Sequence, residues 1–378
     1  MPIRSARAAA GKKAAFRMEV RMGPIVPIFP RRSKALYAHC MIIIFRKDTA
    51  EQDIQNALRK IESLGYTPHL SRGAVKTICG VTGDDRSISE AEFDQLPGVE
   101  SVLRVLKPYK LASREFHPDA TRVEVNGVPI GPGNFVVVAG PCSVESEEQT
   151  ESTAALLGSL GLRFIRGGAF KPRSSPYSFQ GLGEQGLEIL SAAARRHGLA
   201  VVTECMSEHD VELLSKYADV FQVGARNMQN FALLKALGEA RLPVLLKRSM
   251  MGTIEELLLS AEYIMKGGNS RVILCERGIR TFETETRNTL DIGAIPAIKR
   301  LSHLPIIVDP SHATGDWRYV PSASLASLAA GADGIIVEVH PNPTEAKSDG
   351  RQSLNFAHFT SLLERLRAMA PVMEVQVR

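Results

Sequence analysis

Residues 134–140 read Asn-Phe-Val-Val-Val-Ala-Gly. The run is too short for a buried helix and lacks the alternation of a strand that keeps one face in water. It predicts a strand covered on both faces, the kind that parallel sheets contain. Seven similar runs follow: RFIRGG (163–168), AVVTEC (200–205), VFQVGA (220–225), VLLKRS (244–249), RVILCERG (271–278), PIIVDPS (305–311) and DGIIVEVH (333–340). Helical stretches separate them, and FAHFTSLLERLRAM (356–369) closes the series. Eight β/α units predict a (β/α)8 TIM barrel over residues 134–378, whereas an open doubly wound sheet usually stops nearer six strands.

Upstream the order changes. MIIIFR (41–46), EQDIQNALRKIESLG (51–65), TPHLS (67–71), VKTICGVTG (75–83), EAEFDQL (90–96) and VESVLRVL (99–106) alternate as βαββαβ. That is the ferredoxin-like split unit, and a small domain over 41–106 beside a large one fits a regulatory role. Residues 107–133 then form a linker and a hairpin, TRVEV and VPIG joined by Asn126-Gly127, a pair that favours a type I′ turn. The fold class is therefore α/β, a barrel preceded by a ferredoxin-like domain.

Composition excludes several classes. At 378 residues, 44% hydrophobic and 23% charged, the chain has the make-up of a soluble globular protein. No apolar run approaches the roughly 20 residues of a membrane span. The five cysteines, Cys40, Cys79, Cys142, Cys205 and Cys275, form no CxxC pair, which argues for a reducing, cytoplasmic compartment. The net charge of +5 is misleading: residues 1–40 hold nine Lys or Arg against Glu19 alone, a net +8, leaving the body at −3. A basic stripe with interleaved aromatics is missing from the body, so neither nucleic acid nor membrane is expected as a partner. Residues 1–40 are Arg/Ala-rich like a transit peptide, yet their prolines suit a disordered basic extension, and MIIIFR opens a strand as a start at Met41 would.

Barrel enzymes assemble their sites at the C-terminal ends of the strands. Those ends carry Cys142; Arg166 with Lys171 and Arg173; Glu204; Arg226; Lys247 and Arg248; Glu276 and Arg277; Asp309 and His312; Glu338, His340 and Asp349. Cys142, His312, Glu338 and Asp349 make a thiolate, imidazole and carboxylate set suited to one divalent ion such as Mn, Fe, Co or Zn. Cys142 as a nucleophile with His312 as its base remains open, although it leaves two carboxylates unexplained. Arg166, Lys171, Arg173, Arg226, Lys247 and Arg277 concentrate positive charge that anionic substrates would offset. A simple metal aldolase needs fewer cations.

The strings AGPCSVE (139–145), RGGAFKPRSSPYSFQGLG (166–183), QVGARNMQNF (222–231), LLKRSMMGTIEE (245–256), ILCERGIRTFE (273–283), VDPSHATG (308–315) and IIVEVHPNPTEAKSDGRQSL (335–354) resemble 3-deoxy-D-arabino-heptulosonate 7-phosphate (DAHP) synthases. The resemblance is to the metal-dependent branch with a ferredoxin-like domain, and it starts at Met41. It implies condensation of phosphoenolpyruvate with erythrose 4-phosphate and water to DAHP and phosphate, the first step of the shikimate pathway. It implies Cys142, His312, Glu338 and Asp349 as metal ligands, and Arg166, Lys171, Arg226, Lys247, Glu276 and Arg277 around phosphoenolpyruvate. Pro172, Arg173 and Ser174 fall where the family receives erythrose 4-phosphate; Lys171, Lys247 and Asp309 would be catalytic. The small domain would bind an aromatic amino acid effector at His69 and Ser71, and the family implies a homotetramer. Ser174 stands where the family usually has Thr. The sibling 3-deoxy-D-manno-octulosonate 8-phosphate synthase, which uses arabinose 5-phosphate, is the alternative, but it typically shows KANRSS where this chain has KPRSS.

Overall fold

The computed structural model describes residues 40–73, 76–82, 91–105, 108–171, 177 and 179–378. The expectations for residues 1–39 and for Pro172, Arg173 and Ser174 lie outside the described residues.

The small domain runs β1 (Cys40–Phe45), α1 (Glu51–Ser63), β2 (Thr67–Arg72), β3 (Thr77–Thr82), α2 (Ala91–Asp94) and β4 (Val99–Val105). Its antiparallel sheet has the order β2-β3-β1-β4. Alternation along β1 sends Met41, Ile43 and Phe45 to a core shared with Ile54, Ala57 and Ile61 of α1, whose spacing gives one helical face. Ile42 and Ile78 leave by the opposite face and pack on Leu111 and Phe116 of the linker and on Met265 of the barrel. The Phe116 ring lies so close to Gly80 that a Cβ there would come within 2.1 Å of it.

The linker is tied to the barrel through polar groups. Glu262 accepts the backbone N–H groups of Lys110, Leu111 and Ala112, each at 2.9 Å. Both rings nitrogens of His303 are engaged as well, Nε2 with the Leu111 carbonyl at 2.6 Å and Nδ1 with the Thr121 hydroxyl at 2.7 Å.

The hairpin β5 (Val123–Val125) and β6 (Val128–Ile130) turns at Asn126 and Gly127 with φ of 47° and 77°. Both values are positive, as a type I′ turn requires. Val123, Val125, Val128 and Ile130 pack against inward residues of the barrel, including Val136, Ala200 and Val220 near the strand starts. The hairpin therefore closes the end opposite the mouth.

The barrel strands are β7 (Asn134–Gly140), β8 (Phe164–Arg166), β9 (Ala200–Glu204), β10 (Val220–Val223), β11 (Val244–Lys247), β12 (Val272–Glu276), β13 (Ile306–Val308) and β14 (Gly334–Glu338). They pair in sequence, all parallel, and β14 closes on β7 from Gly334↔Val136 to Glu338↔Gly140. The connecting helices are α3 (Glu147–Ser159), α4 (Glu184–Arg196), α5 (Val211–Leu214), α6 (Phe231–Glu239), α7 (Ile254–Lys266), α8 (Ala294–Leu301), α9 (Pro310–Thr314), α10 (Val320–Ala329) and α11 (Phe356–Met369). A last strand, β15 (Gln376–Val377), adds to the start of β7. Each of the eight expected runs is a barrel strand. Among the described residues no helix is long and apolar enough to cross a membrane.

Candidate active site

Gly140 ends β7 at φ 151°, and a Cβ there would meet the Arg166 carbonyl oxygen at 2.1 Å. Only glycine lets β7 and β8 approach this closely while the chain turns into Pro141 and Cys142. Arg166, buried at the end of β8, donates from Nη1 to the Pro141 carbonyl at 2.9 Å and to Glu338 Oε1 at 3.0 Å. Glu338, at the end of β14, also accepts from Gln352 at 2.8 Å.

Cys142, Glu338 and Asp349 bring three ligand atoms within 4.8 Å of one another. The Cys142 thiol donates to Asp349 Oδ2 at 3.2 Å, and Asp349 adopts a left-handed φ of 51°, uncommon for a residue with a side chain. His312 joins this group through Glu338, its Nε2 lying 3.4 Å from Oε1. The ring is placed by the start of α9. Asp309 caps that helix, accepting the His312 N–H at 2.9 Å, and Pro310 occupies its first turn. His312 Nδ1 is 2.8 Å from Asp309 Oδ2 but lacks the alignment of a hydrogen bond. Three expected ligands thus converge, with the fourth beside them.

Burial and neighbouring charges act against each other in this cluster. Burial, reinforced by Glu338, pushes the Cys142 thiol up to about 12 against the opposing pull of Lys171 and Arg166. Burial raises Asp349 too, but His312, the Cys142 thiol, Arg287 and Lys171 outweigh it and hold the carboxyl below its ordinary value. Two carboxylates and a thiol gathered together, with an imidazole beside them, fit a divalent cation, which would stabilise the thiolate that burial disfavours.

The cations form the wall of a cavity of about 740 Å³ lined by Arg166, Lys171, Arg226, Lys247 and Arg277, and also by His312 and Asp349. Lys171 Nζ donates to the Cys142 carbonyl at 2.9 Å and sulfur at 3.2 Å. Lys247, at the end of β11, makes a short hydrogen bond to Asp309 Oδ2. Burial raises Asp309, yet His312 and Lys247 together hold it well below the usual carboxylate range. Among the described residues, Arg166 Nε and Arg277 Nη1 are buried donors that find no hydrogen-bond partner. Such groups are costly unless an anion accepts from them.

Glu276 does not line this cavity. Its carboxylate turns to Arg248 at 2.8 Å and to the Gly278 N–H at 2.6 Å, so it braces the chain on both sides of Arg277 rather than facing the open space. The cavity also includes Glu204, Gln222, Arg280, Arg287 and Asn288. Arg280 and Arg287 were not among the expected site residues. They come from the loop between β12 and α8, which the Ile279–Thr289 bridge and the Arg287 N–H to Thr314 carbonyl bond fold over the mouth. Arg287 approaches Asp349 Oδ1 at 3.6 Å. Cys205 and Cys275 are buried free thiols raised by burial, in keeping with core residues.

In the small domain, His69 and Ser71 share one face of β2. His69 Nε2 lies 3.0 Å from the Thr82 hydroxyl, and its ring meets Phe116 edge-on at 6.2 Å. Burial lowers its pKa.

The model of the DAHP synthetase I family matches residues 116–374. The chain belongs to this family. A second model, the DAHP synthase ferredoxin-like domain, matches residues 41–107. Phospho-2-dehydro-3-deoxyheptonate aldolase of Thermotoga maritima is 53% identical over 337 residues, covering 89% of this chain and all of that protein. The crystal structure of that DAHP synthase superposes with a TM-score of 0.72 over 90% of this chain, and a truncated form of it gives 0.67 over 71% at 52% identity. More distant is 2-dehydro-3-deoxyphosphooctonate aldolase of Syntrophobacter fumaroxidans, 30% identical over 261 residues, which are 64% of this chain and 90% of that protein.

Proposed function

We propose that this chain condenses phosphoenolpyruvate with erythrose 4-phosphate and water to give DAHP and phosphate. The observation that carries the reading is the cation-walled cavity, with two buried guanidinium donors unpartnered among the described residues, opening beside Cys142, Glu338 and Asp349. The 53% identity to a DAHP synthase, against 30% to an octonate aldolase, favours erythrose 4-phosphate over arabinose 5-phosphate.

Cys142, His312, Glu338 and Asp349 would hold one divalent ion, Mn, Fe, Co or Zn. When bound, it would act as a Lewis acid toward the aldehyde of erythrose 4-phosphate. Arg226 and Arg277 hold the phosphate of phosphoenolpyruvate, and Arg166 and Lys171 hold its carboxylate. The vinyl carbon 3 is thereby presented to the aldehyde carbon. As the new carbon–carbon bond forms, Lys247 gives its proton to the aldehyde oxygen, and Asp309 orients Lys247 beforehand through their hydrogen bond. Water adds at carbon 2 and gives up a proton that replaces the one Lys247 donated. The carbon 2–oxygen bond to phosphate then breaks as the new hydroxyl becomes the ketone, and its proton leaves with the phosphate. Glu276 supports Arg277 from behind. Pro172, Arg173 and Ser174 are assigned to the phosphate of erythrose 4-phosphate.

The domain division follows the same reading: 1–40 an extension, 41–106 regulatory, 107–133 linker and hairpin, 134–378 catalytic. An aromatic amino acid binds near His69 and Ser71, and Phe116 connects that face to the linker. The enzyme works as a cytoplasmic homotetramer. The test is product analysis with the two aldoses: the reading expects a heptulosonate from erythrose 4-phosphate, and it fails if arabinose 5-phosphate is preferred.

A further inference from the structure

Two loops supply Cys142 and Asp349, and contacts beyond the ligands themselves join them. Ser143 and Ser348 meet hydroxyl to hydroxyl. Glu145 reaches further: Oε1 accepts the Lys347 N–H at 2.9 Å and the Ser143 hydroxyl at 3.4 Å. Its Oε2 lies 3.6 Å from His340 Nε2. The other ring nitrogen, His340 Nδ1, accepts the Asn342 N–H at 3.1 Å, so the hydrogen of the neutral ring sits on Nε2. That Nε2 is buried and has no aligned acceptor among the described residues. Both side chains are under one-tenth exposed. A buried carboxylate on the first loop therefore holds the second by a hydrogen bond two residues before Asp349 and stands next to His340 near that loop's start.

This grip has a consequence for Asp349, whose left-handed φ of 51° is held only by its surroundings. We infer that Glu145 is a positioning residue: without touching substrate or ion, it fixes the loop 340–349 so that the Asp349 carboxylate stays against Cys142. The inference rests on the metal reading of the cluster. Partners one shell removed from metal ligands typically change metal affinity by about 10–100-fold when lost.

Cobalt(II) binding, followed through the thiolate-to-cobalt absorption band, tests it in the full chain. Glu145→Ala should weaken cobalt affinity by about 10–100-fold and shift the band, with the KM for phosphoenolpyruvate little changed. Glu145→Gln keeps an acceptor for the Lys347 N–H, so it should fall between the two, and it carries the test if Glu145→Ala does not fold. Wild-type affinity and an unshifted band in a folded variant would overturn the proposal while leaving the metal reading intact. A wild-type chain that shows no thiolate band would remove the metal reading, and this inference with it.

Discussion

Cys142 and Asp349 lie 207 positions apart in the chain, yet the thiol donates to the carboxylate across 3.2 Å. β7 and β14 are neighbours where the barrel closes, so the first and last strand ends deliver their loops to one place. Replacing Cys142 with Ala should lower divalent-metal affinity by at least about tenfold and abolish metal-stimulated turnover. Equilibrium dialysis alongside initial rates checks it, and full activity in the metal-loaded variant would refute the ligand assignment.

Asp309 is the buried partner of both Lys247 and His312. Asp309→Asn removes the buried counter-ion and the charged hydrogen-bond partner of Lys247. The expected result is a fall in kcat of about 10²–10⁴-fold, the range ascribed to one general acid, with a smaller rise in KM. A loss confined to KM would move Lys247 out of proton transfer.

His303 sets a pH dependence of stability. Burial pulls its pKa down from 6.5 to about 4, with the Leu111 carbonyl opposing, and His117 and Arg114 adding to the depression. The folded state keeps the ring neutral, whereas the unfolded chain takes up a proton below pH 6.5. Stability from this group is thus present above 6.5 and lost as pH falls toward 4, by at most about 3 kcal/mol. Chemical denaturation at several pH values should show this loss, and His303→Asn should show less of it over the same interval.

Phe116 touches both β3 and His69 while belonging to the chain that Glu262 fixes to α7. Phe116→Ala should therefore weaken inhibition by tyrosine or phenylalanine several-fold and leave the uninhibited rate nearly intact. If neither amino acid slows the unmodified enzyme, the regulatory reading falls.

The barrel was legible because parallel strands buried on both faces are written as continuous apolar runs, and the βαββαβ order because short apolar runs such as MIIIFR stand apart from the helical stretch EQDIQNALRKIESLG. Cys142, His312, Glu338 and Asp349 stood out because strand ends of a barrel carry a known direction. The chain could not show where Glu276 points, since its pairing with Arg248 depends on how two neighbouring strands meet. Arg280 and Arg287 read as ordinary charges of a polar loop until the Ile279–Thr289 bridge folds that loop over the mouth. Glu262 was equally silent: on an amphipathic helix it resembles a solvated residue, and only the linker's three N–H groups reveal its role.

Phosphate release from phosphoenolpyruvate tests a metal-dependent condensation at this mouth most directly. Release should require erythrose 4-phosphate, stop on treatment with EDTA and return when Mn, Fe, Co or Zn is restored. Equal release without the aldose, or undiminished release after complete removal of metal, would contradict the account.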